Sequence, residues 1–195
     1  MGTIKTTNIE TITGSGTLTL GQSGETITIP SGVTITNNGT QTGFGGVNTP
    51  AFHARTSTDQ NLARNTDVKI VNFVTDFDTA SGFASNTYTV PSGQGGKYCI
   101  YFSFSINSGV AGSDGETVRG RVFKNGSYLT GFQSILQDNG TNSVNIANYS
   151  ANFVGVATLA AGDTLDLYGN TADFNNSGQL QSNSHTIFGA YKIIE

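Results

Sequence analysis

The run Gly96-Lys97-Tyr98-Cys99-Ile100-Tyr101-Phe102-Ser103-Phe104-Ser105-Ile106 constrains this chain more than any other stretch. Aromatic and β-branched side chains dominate it and no proline interrupts it. Gly95-Gly96 and Asn107-Ser108-Gly109 bracket it with turn formers, so it reads as a strand. Alternation places Tyr98, Ile100, Phe102, Phe104 and Ile106 on one face and Cys99, Tyr101, Ser103 and Ser105 on the other. The first is a core face. The second still carries Cys99 and Tyr101, which is more apolar than the water-facing side of an antiparallel strand. The run therefore predicts cover on both faces.

Two more segments repeat the pattern. Phe153, Gly155, Ala157 and Leu159 share a face, with Asn152, Val154 and Val156 opposite. Phe188, Ala190 and Ile194 alternate with Ile187, Gly189, Tyr191 and Ile193. A sheet apolar on both sides within a two-layer domain needs a partner subunit, and a closed cyclic oligomer supplies one. The predicted contacts are Cys99, Tyr101, Asn152, Val154, Val156, Ile187 and Tyr191, and Thr130 is expected on a solvent-facing strand.

Composition narrows the class. Only 11% of the 195 residues are charged, against about 25% in an average soluble domain. The polarity comes from Thr, Asn, Ser, Gln and 26 glycines, which suit turns and strands rather than long helices. A net charge of −4 with nine scattered basic residues gives no electrostatic footprint for nucleic acid or an anionic membrane. No stretch approaches the roughly 20 apolar residues of a spanning helix. Met1–Lys5 opens no apolar export region, so synthesis in the cytoplasm is expected. Cys99 is the one cysteine, so the fold stands on packing rather than an intrachain disulfide.

The chain reads as two parts, a β-rich amino-terminal stalk over residues 1–46 and a head over 47–195, joined at the glycine-rich Gly43-Phe44-Gly45-Gly46. In the first part, segments 16–20, 25–29 and 33–36 alternate threonine with one aliphatic. Leu18, Leu20, Ile27, Ile29, Val33 and Ile35 thus form one apolar stripe. Such a unit has no aromatic residue and is too thin to fold alone, so it predicts either a sheet packed on its own domain or a short intertwined oligomeric stalk. In the second part, strands are predicted at 50–56, 68–77, 86–90, 97–107, 117–123, 128–136, 144–159, 163–168 and 185–194. Asn125-Gly126 makes a two-residue hairpin turn, and Ala161-Gly162-Asp163 a similar one. Nine or so strands without a helix imply a double-sheet sandwich or barrel.

Gly96-Lys-Tyr-Cys-Ile-Tyr101, Phe123-Lys-Asn-Gly126, Leu159-Ala-Ala-Gly-Asp-Thr-Leu165-Asp-Leu167 and Thr186-Ile-Phe-Gly189 resemble, in order and spacing, the globular heads of complement q-component and tumour necrosis factor-like proteins. Pro50-Ala-Phe-His-Ala-Arg55 is similar to that family's opening strand. The resemblance spans about residues 49–195 and implies an all-β, ten-strand jelly-roll sandwich that assembles as a tight homotrimer. It also departs from the animal heads, since there is no collagen-like segment and no secretion signal. In their place, the threonine-alternating stretch 16–38 and Gly43-Phe-Gly-Gly46 resemble the amino-terminal segments of tailed-phage virion proteins, marine ones in particular.

Catalytic chemistry is thinly provided. His53 and His185 are the two histidines, and both fall in predicted strands, where a hydrogen-bonded structural imidazole is the default. No nucleophile elbow, phosphate loop or dinucleotide fingerprint occurs. No cofactor is expected. Asp76 and Asp78 on one strand face, and Asp114 and Glu116 in a glycine-rich loop, offer paired carboxylates for calcium, which some complement q-type heads bind. Turn capping explains the same acids.

The expected function is that of a bacteriophage virion protein, a short trimeric tail fibre or spike whose recognition head attaches to a host surface glycan or protein. Its amino-terminal segment would join it to other virion proteins. The candidate receptor loops carry Ser113, Asp114, Glu116, Asp138, Asn139, Asp173, Asn175 and Asn176, because loops vary without disturbing the sheets that hold them. A trimeric capsid decoration or cement protein is the alternative. A glycan-cleaving spike enzyme is the third class, and it needs two carboxylates about 5 to 9 Å apart in a groove, for which the acids are sparse. The protein is expected to be no enzyme.

Overall fold

The computed structural model describes residues 17–36, 38, 49–107, 117–137, 148–172 and 178–193. The chain divides into two compact units, Met1–Phe44 and Gly45–Glu195.

In the first unit the described residues 17–36 turn at two corners and form no strand, where the threonine alternation predicts three. The aliphatics of the stripe are exposed, and a two- or three-strand ribbon with one apolar stripe is marginal in water.

In the second unit the strands, in chain order, are β1 (Ala51–Thr56), β2 (Gln60–Leu62), β3 (Val68–Lys69), β4 (Phe73–Asp78), β5 (Phe83–Ala84), β6 (Thr87–Thr89), β7 (Gly96–Asn107), β8 (Thr117–Lys124), β9 (Ser127–Gln137), β10 (Asn148–Leu159), β11 (Thr164–Ala172), β12 (Gly178–Leu180) and β13 (Asn183–Lys192). Among the described residues there is no helix. Seven strands form one sheet in the order β2-β12-β7-β13-β1-β4, with β10 on the other edge of β7. Six form the second, β5-β6-β11-β8-β9, with β3 also on β11. Every pairing between strands is antiparallel. The protein is an all-β jelly-roll sandwich.

β7 is the spine of the first sheet. It pairs with β10 along its whole length, from Gly96↔Leu159 to Asn107↔Asn148. Its other edge takes β13 from Tyr98 to Ser103 and β12 at its end. Tyr98, Ile100, Phe102, Phe104 and Ile106 are buried as the alternation predicts. They meet Val118, Val122, Leu165 and Leu167 from the second sheet in one apolar core. At one end of that core Phe52 stacks on Tyr88 and Phe83, with ring centroids 4.5 and 4.8 Å apart, and meets Phe188 edge-on at 5.3 Å. Such ring pairs add about 0.5–1.5 kcal/mol each beyond the area they bury.

Four expectations need correction. The segment read as one strand over 68–77 is two strands in different sheets, β3 on β11 and β4 on β1. Asn72, at φ +63°, makes the corner between them. A short polar side chain tolerates that left-handed backbone, and apolar periodicity does not register it. The short strands β2, β5 and β12 hold two or three residues each and were not anticipated. They are made by tertiary pairing rather than by local preference. Asn125 and Gly126 have φ of +52° and +75°, as their hairpin requires. In Ala161-Gly162-Asp163, by contrast, only Gly162 is left-handed, at +86°, with Asp163 N–H donating to the Ala160 carbonyl at 3.1 Å. That is a type II pattern, in which glycine alone takes the positive φ. Last, Asp76 and Asp78 do not act as a carboxylate pair, for a reason that lies in the outer face of the first sheet.

Candidate functional site

The outward face of the seven-stranded sheet is built row by row from register, since residues paired across antiparallel strands project to the same side. One row aligns Val156, Cys99, Tyr191 and Ala51. The next aligns Val154, Tyr101, Gly189, His53 and Phe77, and a third Asn152, Ser103, Ile187, Arg55 and Val74. Val154 is 69% exposed, Val156 55%, Phe77 50% and Val74 44%. Tyr191 is also exposed, Ile187 and Tyr101 are half-buried, and Cys99 is a buried free thiol. The seven predicted contact residues therefore lie on one surface, drawn from three adjacent strands.

Sequence reasoning missed the β1 and β4 part of this face. Strict alternation sets Phe77 opposite Val74, but a bulge in the β1–β4 ladder makes Asp76 the extra residue, so that His53 pairs with Phe77 and Arg55 with Val74. Both apolar side chains thus share the outer face. The bulge also separates the two acids. Asp76 accepts from Arg55 Nε at 2.8 Å and lies 3.6 Å from His53 Nε2. Asp78 instead accepts from the backbone N–H groups of Ala80 at 3.2 Å and Phe83 at 2.7 Å. Among the described residues no three His, Cys, Asp or Glu side chains converge as metal ligands. The other acid pair, Asp114 and Glu116, lies outside the described residues.

A row of polar contacts crosses this apolar face. Gly189 lets the Tyr101 ring lie flat on β13, because a Cβ there would stand 2.3 Å from the ring. The Tyr101 hydroxyl consequently reaches His53 Nδ1 at 2.9 Å. His53 sits between Phe77 and Tyr101, at ring-centroid distances of 6.0 and 5.8 Å. Burial pushes the Tyr101 hydroxyl above the usual phenol range, so it remains a donor. On its other side His53 Nε2 faces Asp76 at 3.6 Å, and Asp76 in turn accepts from Arg55 Nε. His53 is thereby a hydrogen-bonded strand residue, while His185 is exposed on β13.

The second sheet faces outward differently. Its outer side carries Lys69–Asp166 at 2.7 Å and Arg121–Asp67 at 2.7 Å, and Lys124–Asp163 at 3.1 Å stands at its turn. Arg121 also lies 5.4 Å above the Tyr128 ring. Thr130 on that sheet is exposed, and so is Ile135, at 49%. A shallow hollow of about 580 Å³, lined by Ala80, Gly82, Val90, Pro91 and Gly162 among others, holds no charged side chain.

Ser113, Asp114, Glu116, Asp138, Asn139, Asp173, Asn175 and Asn176 lie outside the described residues. The strands that flank them all terminate together, since Asn107 pairs with Asn148 and Gln179, and Thr117 with Gln137 and Ala172. The three connections therefore leave from one end of the sandwich. The stripe Leu18, Leu20, Ile27, Ile29, Val33 and Ile35 is exposed throughout.

No protein-family model and no curated protein sequence matches the chain. Solved structures do. The structure of Eiger TNF from S. frugiperda is similar at a TM-score of 0.56 and 14% identity, over 74% of this chain and 92% of that one. Murine APRIL at pH 5.0 is similar at 0.52 and 14%, over 73% and 98%. The globular domain of zebrafish complement 1qA protein stands at 0.47 and 15%, over 75% and 98%. At such identities the first two likenesses establish the fold alone, a two-sheet jelly roll of the tumour necrosis factor kind.

Proposed function

From a head with the tumour necrosis factor fold, we propose that this chain is the subunit of a homotrimeric bacteriophage spike or short tail fibre and acts by binding rather than catalysis. Three heads close around the outward faces of their seven-stranded sheets and present their loop ends to a host surface. The observation that carries this reading is the apolar face running from Val154 and Val156 through Tyr101, Ile187 and Tyr191 to Val74 and Phe77. An apolar surface of that continuity on a soluble chain marks an interaction site. The opposite sheet differs in carrying ion pairs on its outer side. The virion setting rests on the threonine-alternating amino-terminal stretch and its resemblance to phage segments.

Light scattering on the full chain is expected to give three times the 20.3 kDa chain mass. Purified trimer should compete with phage particles for adsorption to the host, and exchange of 109–116, 137–142 or 171–183 should abolish competition without altering the mass. A trimer present on particles that never competes would replace the attachment reading with capsid decoration. A monomer would overturn both.

A further inference from the structure

Every one of residues 17–36 is exposed, and the six aliphatics of the stripe are 46 to 60% exposed. The local geometry is nonetheless made. Glu25 N–H donates to the Gln22 carbonyl at 3.0 Å, and Gln22 N–H donates to Glu25 Oε2 at 2.6 Å. Val33 N–H donates to the Pro30 carbonyl at 3.3 Å, and Gly24 and Gly32 hold φ of +90° and +84°. These corners join three alternating segments that do not pair with one another, and no ladder forms among the described residues 17–36. Segments with their corners built and their edges open have main-chain donors and acceptors that no ladder among the described residues satisfies.

We propose that segments 17–20, 25–29 and 33–36 pair with the same segments of two other copies of this chain. They form a stalk in which the ladders run between chains and the six aliphatics line the axis. This rests on the reading of the head as a self-associating unit. The occupant is a copy of the chain because the segment carries a single charge to set against its like. Glu25 is the sole charged side chain in 17–36; alternation sets it on the face of Ile27 and Ile29, at the start of its segment, where its carboxylate accepts from the Gln22 N–H at a corner. The positions opposite the aliphatics in the three segments are all threonines, which pair favourably across strands with threonine. Heads that trimerise also hold three copies of the segment at an effective concentration in the millimolar range.

Hydrogen exchange of the full chain, measured beside its mass by light scattering, tests this. The expected result is a trimer whose amides in 17–36 exchange at least about 100-fold more slowly than those of a free peptide of the same sequence. Ile27→Asp should remove that protection while the mass stays trimeric, and Thr28→Asp, on the opposite face, should leave most of it. A trimer whose 17–36 amides exchange like the free peptide overturns the intermolecular stalk and leaves the head reading standing. A monomer with free exchange overturns both. A monomer with protected amides shows pairing within one chain and overturns the stalk.

Discussion

At the scale of single residues, the outer face depends on a glycine chosen for close approach. Gly189 is covered by the Tyr101 ring, and a methyl group there would displace the ring from β13 and its hydroxyl from His53. Gly189→Ala is expected to cost on the order of 1–3 kcal/mol, the usual scale for forcing an added methyl group into a packed site, read as a lower urea midpoint. His53→Gln, which keeps a hydrogen-bonding group, should cost less. Asp163 gives a prediction in pH. Its carboxylate accepts from Asn125 Nδ2 at 2.7 Å and from Ala160 N–H at 2.8 Å, and Lys124 lies at 3.1 Å. The Asn125 bond first, then the Ala160 amide, hold its pKa below the usual carboxylate range. A depressed folded-state value contributes stability above the unfolded pKa of about 3.9, and that contribution fades as pH falls through the folded value. The stability gap between wild type and Asp163→Asn should therefore be constant from pH 8 to 5 and narrow below pH 4. A gap that widens in acid would contradict the assignment.

At the scale of elements, the corner at Asn72 carries the chain from the second sheet to the first. Its left-handed backbone suits asparagine or glycine and strains a β-branched residue. Asn72→Gly is expected to change stability by less than about 1 kcal/mol and Asn72→Val to lower it by about 1–3 kcal/mol, measured by chemical denaturation. Equal losses would mean that the Asn72 side chain, not its φ, holds the corner. The long strands β7, β8 and β10 were legible in sequence because alternation over eight or more residues leaves one consistent register. β9 was expected as a strand, but its ladder with β8 shifts register between Arg121 and Phe123. β2, β5 and β12 were not, because two or three residues carry no period, and their pairing is decided by the strands that pass beside them.

At the scale of the whole molecule, the test is charge on the outer face. Val154→Asp brings three like charges into a place that the proposed trimer desolvates, at several kcal/mol per ion after relaxation. Trimers are expected to dissociate or melt far earlier. Thr130→Asp, on the outer side of the second sheet, should do little. A Val154→Asp protein that scatters light as a trimer with unchanged melting temperature would place the contact elsewhere on the molecule.

The sequence alone determined the all-β class, the spine strand and its buried face, and the apolar character of Val154, Val156, Tyr101, Ile187 and Tyr191. Each follows from side-chain chemistry repeated at period two. It did not show that Val74 and Phe77 share one side, that Asp76 bonds Arg55 beside His53 while Asp78 caps a turn, or that 68–77 divides between two sheets. Those outcomes turn on one bulged residue and one left-handed corner. Shifting a strand by a single residue exchanges its faces, and only the strands packed beside it decide where that shift falls.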